Sequence, residues 1–354
     1  MKDTKISYKG QSIYIGIDVH LKSWKVSIHT NEFEHRTIAI PSSAKALLDY
    51  LRRNFPDGDY FSVYEAGYSG YWIHEELEKY GIKNIIVNPL DIPTKDKERQ
   101  VKTDRIDSRK LARCLKNGEL EPIYIRDKGQ QQDRSLVRMR YTMVKKQTAC
   151  KNQIKSMLSF YGIQIKEEDI QSHWSRNFVN WIEENTAELG SATVAMGALI
   201  KELKQLREMI TEITRKIRAL TIAEKYKEKV KLLQSIPGIS VLSAMTILTE
   251  IGDIKHFCDL DKLCGYIGLM PGEHSSGERE RKSGISPRGN KILKYVIIES
   301  SWIAVRKDPV LLLSFKNYIK RHKKTTAIIK IARKLVNRIR YVLANKQEYK
   351  LLTE

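Results

Sequence analysis

Four acidic residues have the types and spacing to do chemistry. Asp18 closes the apolar run Tyr14-Ile15-Gly16-Ile17, and Glu65 closes Phe61-Ser62-Val63-Tyr64. Asp104 and Asp107 lie in Lys102-Thr103-Asp104-Arg105-Ile106-Asp107-Ser108-Arg109, at the start of a helical pattern. Residues three apart on a helix share a face, with Cβ atoms about 5–6 Å apart. Carboxylates at two strand ends beside such a pair can converge on a hard, oxygen-seeking cation, Mg²⁺ or Mn²⁺. A cation held that way suits metal-assisted cleavage of phosphodiesters.

The elements that must position these acids follow from hydrophobic periodicity. Ser12–Val19 and Lys25–Thr30 read as adjacent strands joined through His20-Leu21-Lys22-Ser23, and a third strand near Arg36–Ile40 ends at Pro41. Ser42-Ser43 can cap a helix with apolar positions Ala46, Leu47, Tyr50 and Leu51. Asp57-Gly58-Asp59 then turns into the strand ending at Glu65. A helix over about Tyr71–Tyr80 stops at Gly81, a short strand Asn84–Val87 stops at Asn88-Pro89, and the Asp104 helix runs to about Asn117-Gly118. Three strands followed by alternating helix and strand is the order of a ribonuclease-H-like α/β fold, in which acids at neighbouring strand ends and on a later helix form the metal site.

Composition narrows the partner. The 354 residues carry 63 Lys plus Arg against 42 Asp plus Glu, a formal charge of +21, and 41% are hydrophobic. A basic excess on a chain able to build cores favours a polyanion, with nucleic acid the default. Between Glu278 and Arg340 stand 18 Lys or Arg and only four acids, so the excess gathers late in the chain. No stretch approaches the ~20 apolar residues of a membrane span, and Met1-Lys2-Asp3-Thr4-Lys5-Ile6-Ser7 lacks a secretion signal's apolar segment. Cys114, Cys150, Cys258 and Cys264 are too scattered for a disulfide framework. The expectation is a reducing cytoplasm, bacterial or archaeal, with no membrane partner.

From about Asp127 to Lys229 the pattern turns helical and charged. Leu199, Leu203, Leu206, Ile210, Ile213, Ile217 and Leu220 step by alternating fours and threes, an a/d seam that suits a coiled coil within one chain or between chains. Past Val230, Leu232-Leu233-Gln234-Ser235-Ile236-Pro237-Gly238-Ile239-Ser240 leads into Ala244, Ile247, Leu248 and a Glu250-Ile251-Gly252-Asp253 stop. That is a helix-hairpin-helix pattern, whose turn near Gly238 can offer backbone N–H groups to a phosphate. A helical hairpin that binds nothing has the same pattern.

Next comes the block Gly265-Tyr266-Ile267-Gly268-Leu269-Met270-Pro271-Gly272-Glu273-His274-Ser275-Ser276-Gly277, then Glu278-Arg279-Glu280-Arg281-Lys282-Ser283-Gly284-Ile285-Ser286-Pro287-Arg288-Gly289-Asn290. With the acids and the Ile236-Pro237-Gly238-Ile239 turn, it resembles the DEDD transposases of the insertion-sequence-110 family, relatives of the Piv DNA invertases. The resemblance spans nearly the whole chain. It implies a RuvC-like domain supplying Asp18, Glu65, Asp104 and Asp107, and a C-terminal serine nucleophile falling on Ser276, with Ser275 its neighbour and rival. It also implies excision and insertion of the protein's own element, guided by a structured non-coding RNA. Two positions depart from the family pattern: Pro287 stands where Lys is usual, and Ser108 where Ala is frequent. Neither removes a catalytic group.

The expected organisation is a RuvC-like catalytic domain over 1–126, a helical coiled-coil spacer over 127–229, and a mainly α transposase domain over 230–354 with the hairpin and the serine. Expected partners are donor and target DNA, a guide RNA and further copies of the chain as a dimer or tetramer. Arg279, Arg281, Lys282 and Arg288 flank Ser276 and are the first candidates to hold phosphate. Two rivals share these residues: a metal-only endonuclease like a Holliday-junction resolvase, and a non-enzymatic helix-hairpin-helix DNA-binding protein.

Overall fold

The structure is a computed structural model that describes residues 7–93, 104–165, 174–276, 279–285 and 288–351, with only the backbone described for 104, 105, 271–276 and 279–283. It forms two compact units, Met1–Ile125 and Arg126–Glu354.

In the first unit, strands β1 (Ser12–Val19), β2 (Ser23–His29), β3 (Ile38–Pro41), β4 (Asp59–Glu65) and β5 (Lys83–Val87) form one sheet in the order β3-β2-β1-β4-β5. β1 pairs antiparallel with β2 and parallel with β4, so the sheet is mixed, as in a ribonuclease-H-like domain. Alternation decides its two faces. Ile13, Ile15 and Ile17, with Trp24, Val26 and Ile28, are buried against helices α1 (Ala44–Asn54) and α2 (Trp72–Lys79). Ser43 caps α1, its side chain accepting from the Ala46 amide at 3.4 Å. The other face is covered by α3 (Asp104–Lys116), whose Leu111 and Cys114 pack with Val63 and Val87.

The second unit is built on two long helices, α4 (Lys128–Phe160) and α6 (Ser191–Leu220), of 33 and 30 residues. They run antiparallel: Cys150 Sγ meets the Leu199 carbonyl at 3.3 Å, while Arg140 Nε donates to Thr214 Oγ1 at 2.8 Å. Here the heptad seam finds its partner inside the chain. Leu203 and Leu206 are buried with Cys150, Ile154 and Leu158 of α4 and with Phe178, Val179 and Ile182 of the short helix α5 (Arg176–Asn185). Nearer the base, Ile217 joins Val137 of α4 in the core of the C-terminal helices. Spacer and C-terminal segment lie in the same compact unit, Arg126–Glu354.

That core is made by α7 (Glu224–Gln234), α8 (Val241–Ile251), α9 (Leu260–Ile267), α10 (Lys291–Lys307), α11 (Pro309–Ile319) and α12 (Lys324–Asn345). Between α9 and α10 stands a two-stranded antiparallel hairpin, β6 (Pro271–Ser276) and β7 (Arg279–Ile285), in a region expected to be mainly helical. Among the described residues no helix is long and apolar enough to cross a membrane. All four cysteines are unbonded, and only Cys258 is exposed.

Candidate functional site

The acid site is assembled by sheet register and one close helix. The last paired residues of β1 and β4 are Ile17 and Tyr64, so Asp18 and Glu65 stand side by side one step further on. Ile17 and Tyr64 are both fully buried on the α1/α2 side, so alternation turns Asp18 and Glu65 to the α3 side.

Gly16 allows α3 to lie directly on the sheet. A Cβ there would come 2.1 Å from the Ser108 carbonyl oxygen and 2.5 Å from the Ala112 nitrogen. Ser108 Oγ also lies 2.9 Å from Ser27 Oγ, and Ser27 is the register partner of Gly16. Eight residues on, Lys116 Nζ reaches the Asn31 carbonyl at 3.1 Å, past the end of β2 that pairs with the start of β1. The helix therefore runs opposite to β1, and its N-terminal turn, with Asp104 and Asp107, lies toward Asp18 and Glu65.

Asp18 Oδ2 is 3.1 Å from His20 Nε2, and Asp107 Oδ1 is 3.5 Å from Lys110 Nζ. Both carboxylates keep 23% of their side-chain surface open to solvent. The Asp104 side chain lies outside the described set. Among the described residues no group of three metal-binding side chains is gathered. The described donors are oxygens, the ligand type a hard cation takes.

Ser276 ends β6, and in the hairpin register it pairs with Arg279, while His274 pairs with Arg281. Ser275 pairs instead with Glu280, and Glu273 with Lys282. The side chains of Ser275, Ser276, Arg279, Arg281 and Lys282 lie outside the described residues, as do Gly277, Ser286 and Pro287 altogether. Arg288 is exposed.

Gly238 has a packing reason for being glycine. Its φ is +92°, and a Cβ would meet the Ser300 carbonyl of α10 at 2.3 Å. Ser240 caps α8, accepting from the Ser243 amide at 3.2 Å. The Pro-Gly turn thus docks α7 and α8 onto α10, a role independent of phosphate binding.

One group in this region escaped sequence reasoning. Glu250, read as part of a helix stop, is completely buried and joins four elements. Its Oε2 accepts from Arg134 at 2.9 and 3.0 Å, from Arg138 at 2.9 Å and from Asn290 at 2.6 Å, and its Oε1 accepts from Arg138 at 2.6 Å. The Tyr266 hydroxyl donates to the Glu250 carbonyl at 2.8 Å, and Arg126 donates there too. Burial alone would raise the carboxyl pKa. The Arg138 hydrogen bond, the charges of Arg134 and Arg138, and Asn290 outweigh it and hold the pKa at about 2. A signal did exist: Glu250 is the lone charge in α8 and sits near its C-terminus, where the helix dipole disfavours an anion. An acid in that place needs a cationic partner. Asn290 also caps α10, accepting from the Leu293 amide at 3.1 Å, so the cluster ties down the residue at which the hairpin's return segment re-enters a helix.

Known proteins match both halves. A family model described as "Transposase", the DEDD transposase type of IS110, matches residues 15–163, which include all four acids. A second, described as "Transposase IS116/IS110/IS902 family", matches residues 230–315, from α7 through the serine hairpin. The Sinorhizobium fredii protein y4qE is 29% identical over 242 residues, 68% of this chain and 58% of that relative, so the matched region spans less than two thirds of its length. The transposase for insertion sequence element IS1111A of Coxiella burnetii is 27% identical over 301 residues, 81% of this chain and 79% of the relative. The transposase for IS1533 of Leptospira borgpetersenii is 23% identical over 259 residues, 69% and 71% of the two chains. With the acid-bearing sheet and the serine hairpin each matched by its own family model, the chain belongs to the insertion-sequence-110 family of DEDD transposases.

Proposed function

We propose that the protein is a transposase that cuts and rejoins DNA strands, using a divalent cation at Asp18, Glu65, Asp104 and Asp107 and a nucleophilic serine at Ser276. The observation that carries the reading is the approach of α3 across Gly16, which aims its acidic first turn at the two strand-end carboxylates. Bound there, Mg²⁺ or Mn²⁺ would polarise the scissile phosphate and stabilise the charge developing on its oxygens.

The remaining work falls to the chain's own groups. Ser276 Oγ attacks phosphorus, forming a phosphoserine bond as the bond to one sugar oxygen breaks. The serine loses its proton and the departing oxygen gains one, so phosphodiester energy is kept for rejoining to another strand. The register favours Ser276 over Ser275 for this role, since it stands opposite Arg279 rather than Glu280. Arg279, Arg281, Lys282 and Arg288 hold the backbone phosphates. A structured guide RNA and assembly of several copies complete the reading, each as the family resemblance implies.

The test is capture of a covalent protein–DNA adduct. Wild type should form it, Ser276→Ala should not, and Asp18→Asn or Asp107→Asn should block it with the fold intact. Cleavage at wild-type rate by Ser276→Ala would make water the nucleophile and overturn the serine assignment.

A further inference from the structure

The cleft where α4, α6, α8 and α10 meet has a composition that the transposase reading does not use. It encloses about 400 Å³ and is lined by Arg140, Tyr141 and Lys145 on α4, Thr246 on α8 and Tyr295 on α10, with aliphatic side chains between. That volume suits a small ligand rather than a flat surface. None of the lining residues is acidic.

Two observations point to what it holds. Tyr141 and Tyr295 meet edge to face at 5.9 Å, and Tyr295 remains 53% exposed, a large half-open ring at the mouth. Lys145 Nζ sits 5.6 Å from the Tyr141 ring centre. Inside, Arg140 donates to the neutral Thr214 hydroxyl and has no carboxylate partner among the described residues. Burial, and then the neighbouring Arg218, push its guanidinium below its ordinary pKa. A half-buried cation without an anion is costly, and one supplied from outside would relieve the cost.

A flat apolar ring at the rim with unbalanced cations behind it matches one chemistry, a planar base joined to a phosphate. We infer that this cleft binds an unpaired nucleotide of a nucleic-acid strand, its base stacked on Tyr295 and its phosphate facing Arg140 and Lys145. A paired base cannot enter, because its faces are covered by its neighbours in the helix; a strand end, loop or extruded nucleotide can. Every base has a π-face, so stacking of this kind tolerates any sequence. The inference rests on the reading that the chain handles nucleic acid, and is independent of the acid site and of Ser276.

Binding is measured on the full-length protein without divalent cation, by anisotropy of labelled oligothymidylate, oligouridylate and a blunt-ended, fully paired duplex. Tyr295→Ala should weaken at least one single strand about tenfold, roughly 1.4 kcal/mol, within the range for one stacked base. Duplex affinity should be unchanged, and Tyr295→Phe should restore the loss, since phenylalanine keeps the ring. Arg140→Gln should flatten the salt dependence on single strands by about 0.7. A larger loss on uridylate identifies RNA as the source and on thymidylate DNA; equal losses mean a site for both. Unchanged binding of both single strands by Tyr295→Ala overturns the inference, as does an equal loss on the duplex, which would reduce the cleft to a backbone-charge surface. The readout is metal-free binding, whereas the acid site and Ser276 are read by adduct formation, so failure of the acid site and failure of the cleft are read separately.

Discussion

The two units treat carboxylates in opposite ways. In the C-terminal unit, Glu250 is sealed from water and saturated by two arginines and an asparagine, all at 2.6–3.0 Å. In the N-terminal unit, Asp18 and Asp107 face solvent in part, beside a histidine at 3.1 Å and a lysine at 3.5 Å. A buried acid fully bonded to protein can hold elements together but has no oxygen left for a cation. Partly exposed ion pairs add little to folding. Burial, not residue type, decides how much a carboxylate contributes to holding the fold together.

The largest effect expected is on activity. Asp18→Asn or Asp107→Asn should slow strand cleavage about a thousandfold or more, the scale of several kcal/mol of charge stabilisation. Thermal unfolding should stay close to wild type. Comparable loss of stability would mean that these acids hold the fold together as Glu250 does.

Glu250→Gln is the converse. It leaves Arg134 and Arg138 beside a neutral partner, and removing one charge of a buried pair costs about 3–5 kcal/mol. Urea unfolding should record the cost. An unaffected midpoint would mean that the arginines find other partners and that the cluster does not hold its four elements together.

Acid titration reads the buried carboxylate directly. The Glu250 pKa lies at about 2 in the folded chain, below its ordinary value of 4.5. A depressed carboxyl pKa contributes stability that is complete above the unfolded value and fades as pH falls through the folded one. Wild type should therefore lose stability between about pH 4.5 and 2, and Glu250→Gln should lose less over that window; parallel curves would sink the assignment.

Two glycines compare packing in the two units. Gly16→Ala and Gly238→Ala each force a methyl group against a backbone carbonyl, at 2.1 and 2.3 Å, and each should destabilise by about 1–3 kcal/mol. Only Gly16→Ala, by lifting α3 from β1, should also weaken Mn²⁺ binding in calorimetry. Equal Mn²⁺ affinity in both variants would show that the close approach of α3 does not set the acid geometry.

The smallest effect is on salt dependence. Replacing Arg279, Arg281, Lys282 and Arg288 by Gln should flatten the slope of log affinity against log salt by about 0.9 per lost phosphate contact on duplex DNA. An unchanged slope would remove them from the phosphate-binding set.

Much of the N-terminal unit was legible because its signals are local. β1 ends where alternation ends, at Val19, Ser43 caps α1, and Asp104 opens α3. Chain order makes neighbours of β1 and β2 and of β2 and β3, but only the fold showed that β4 lies beside β1 rather than β3. The heptad seam was equally visible, but its partner was not. A seam records that a face must be buried, and only the fold showed that α4 of the same chain covers it.

The strands and helices of the first unit, the place of the acids on them and the basic late chain could be read from the sequence, because periodicity, capping and charge are properties of neighbouring residues; the β6/β7 hairpin could not. The tertiary structure alone decided that Gly16 is the seat of α3, that Glu250 meets arginines more than a hundred positions away in the chain, and that Tyr141 and Tyr295 share one cleft. Each depends on which distant segments meet and in what register, and that is set by the burial of whole faces rather than by any local pattern.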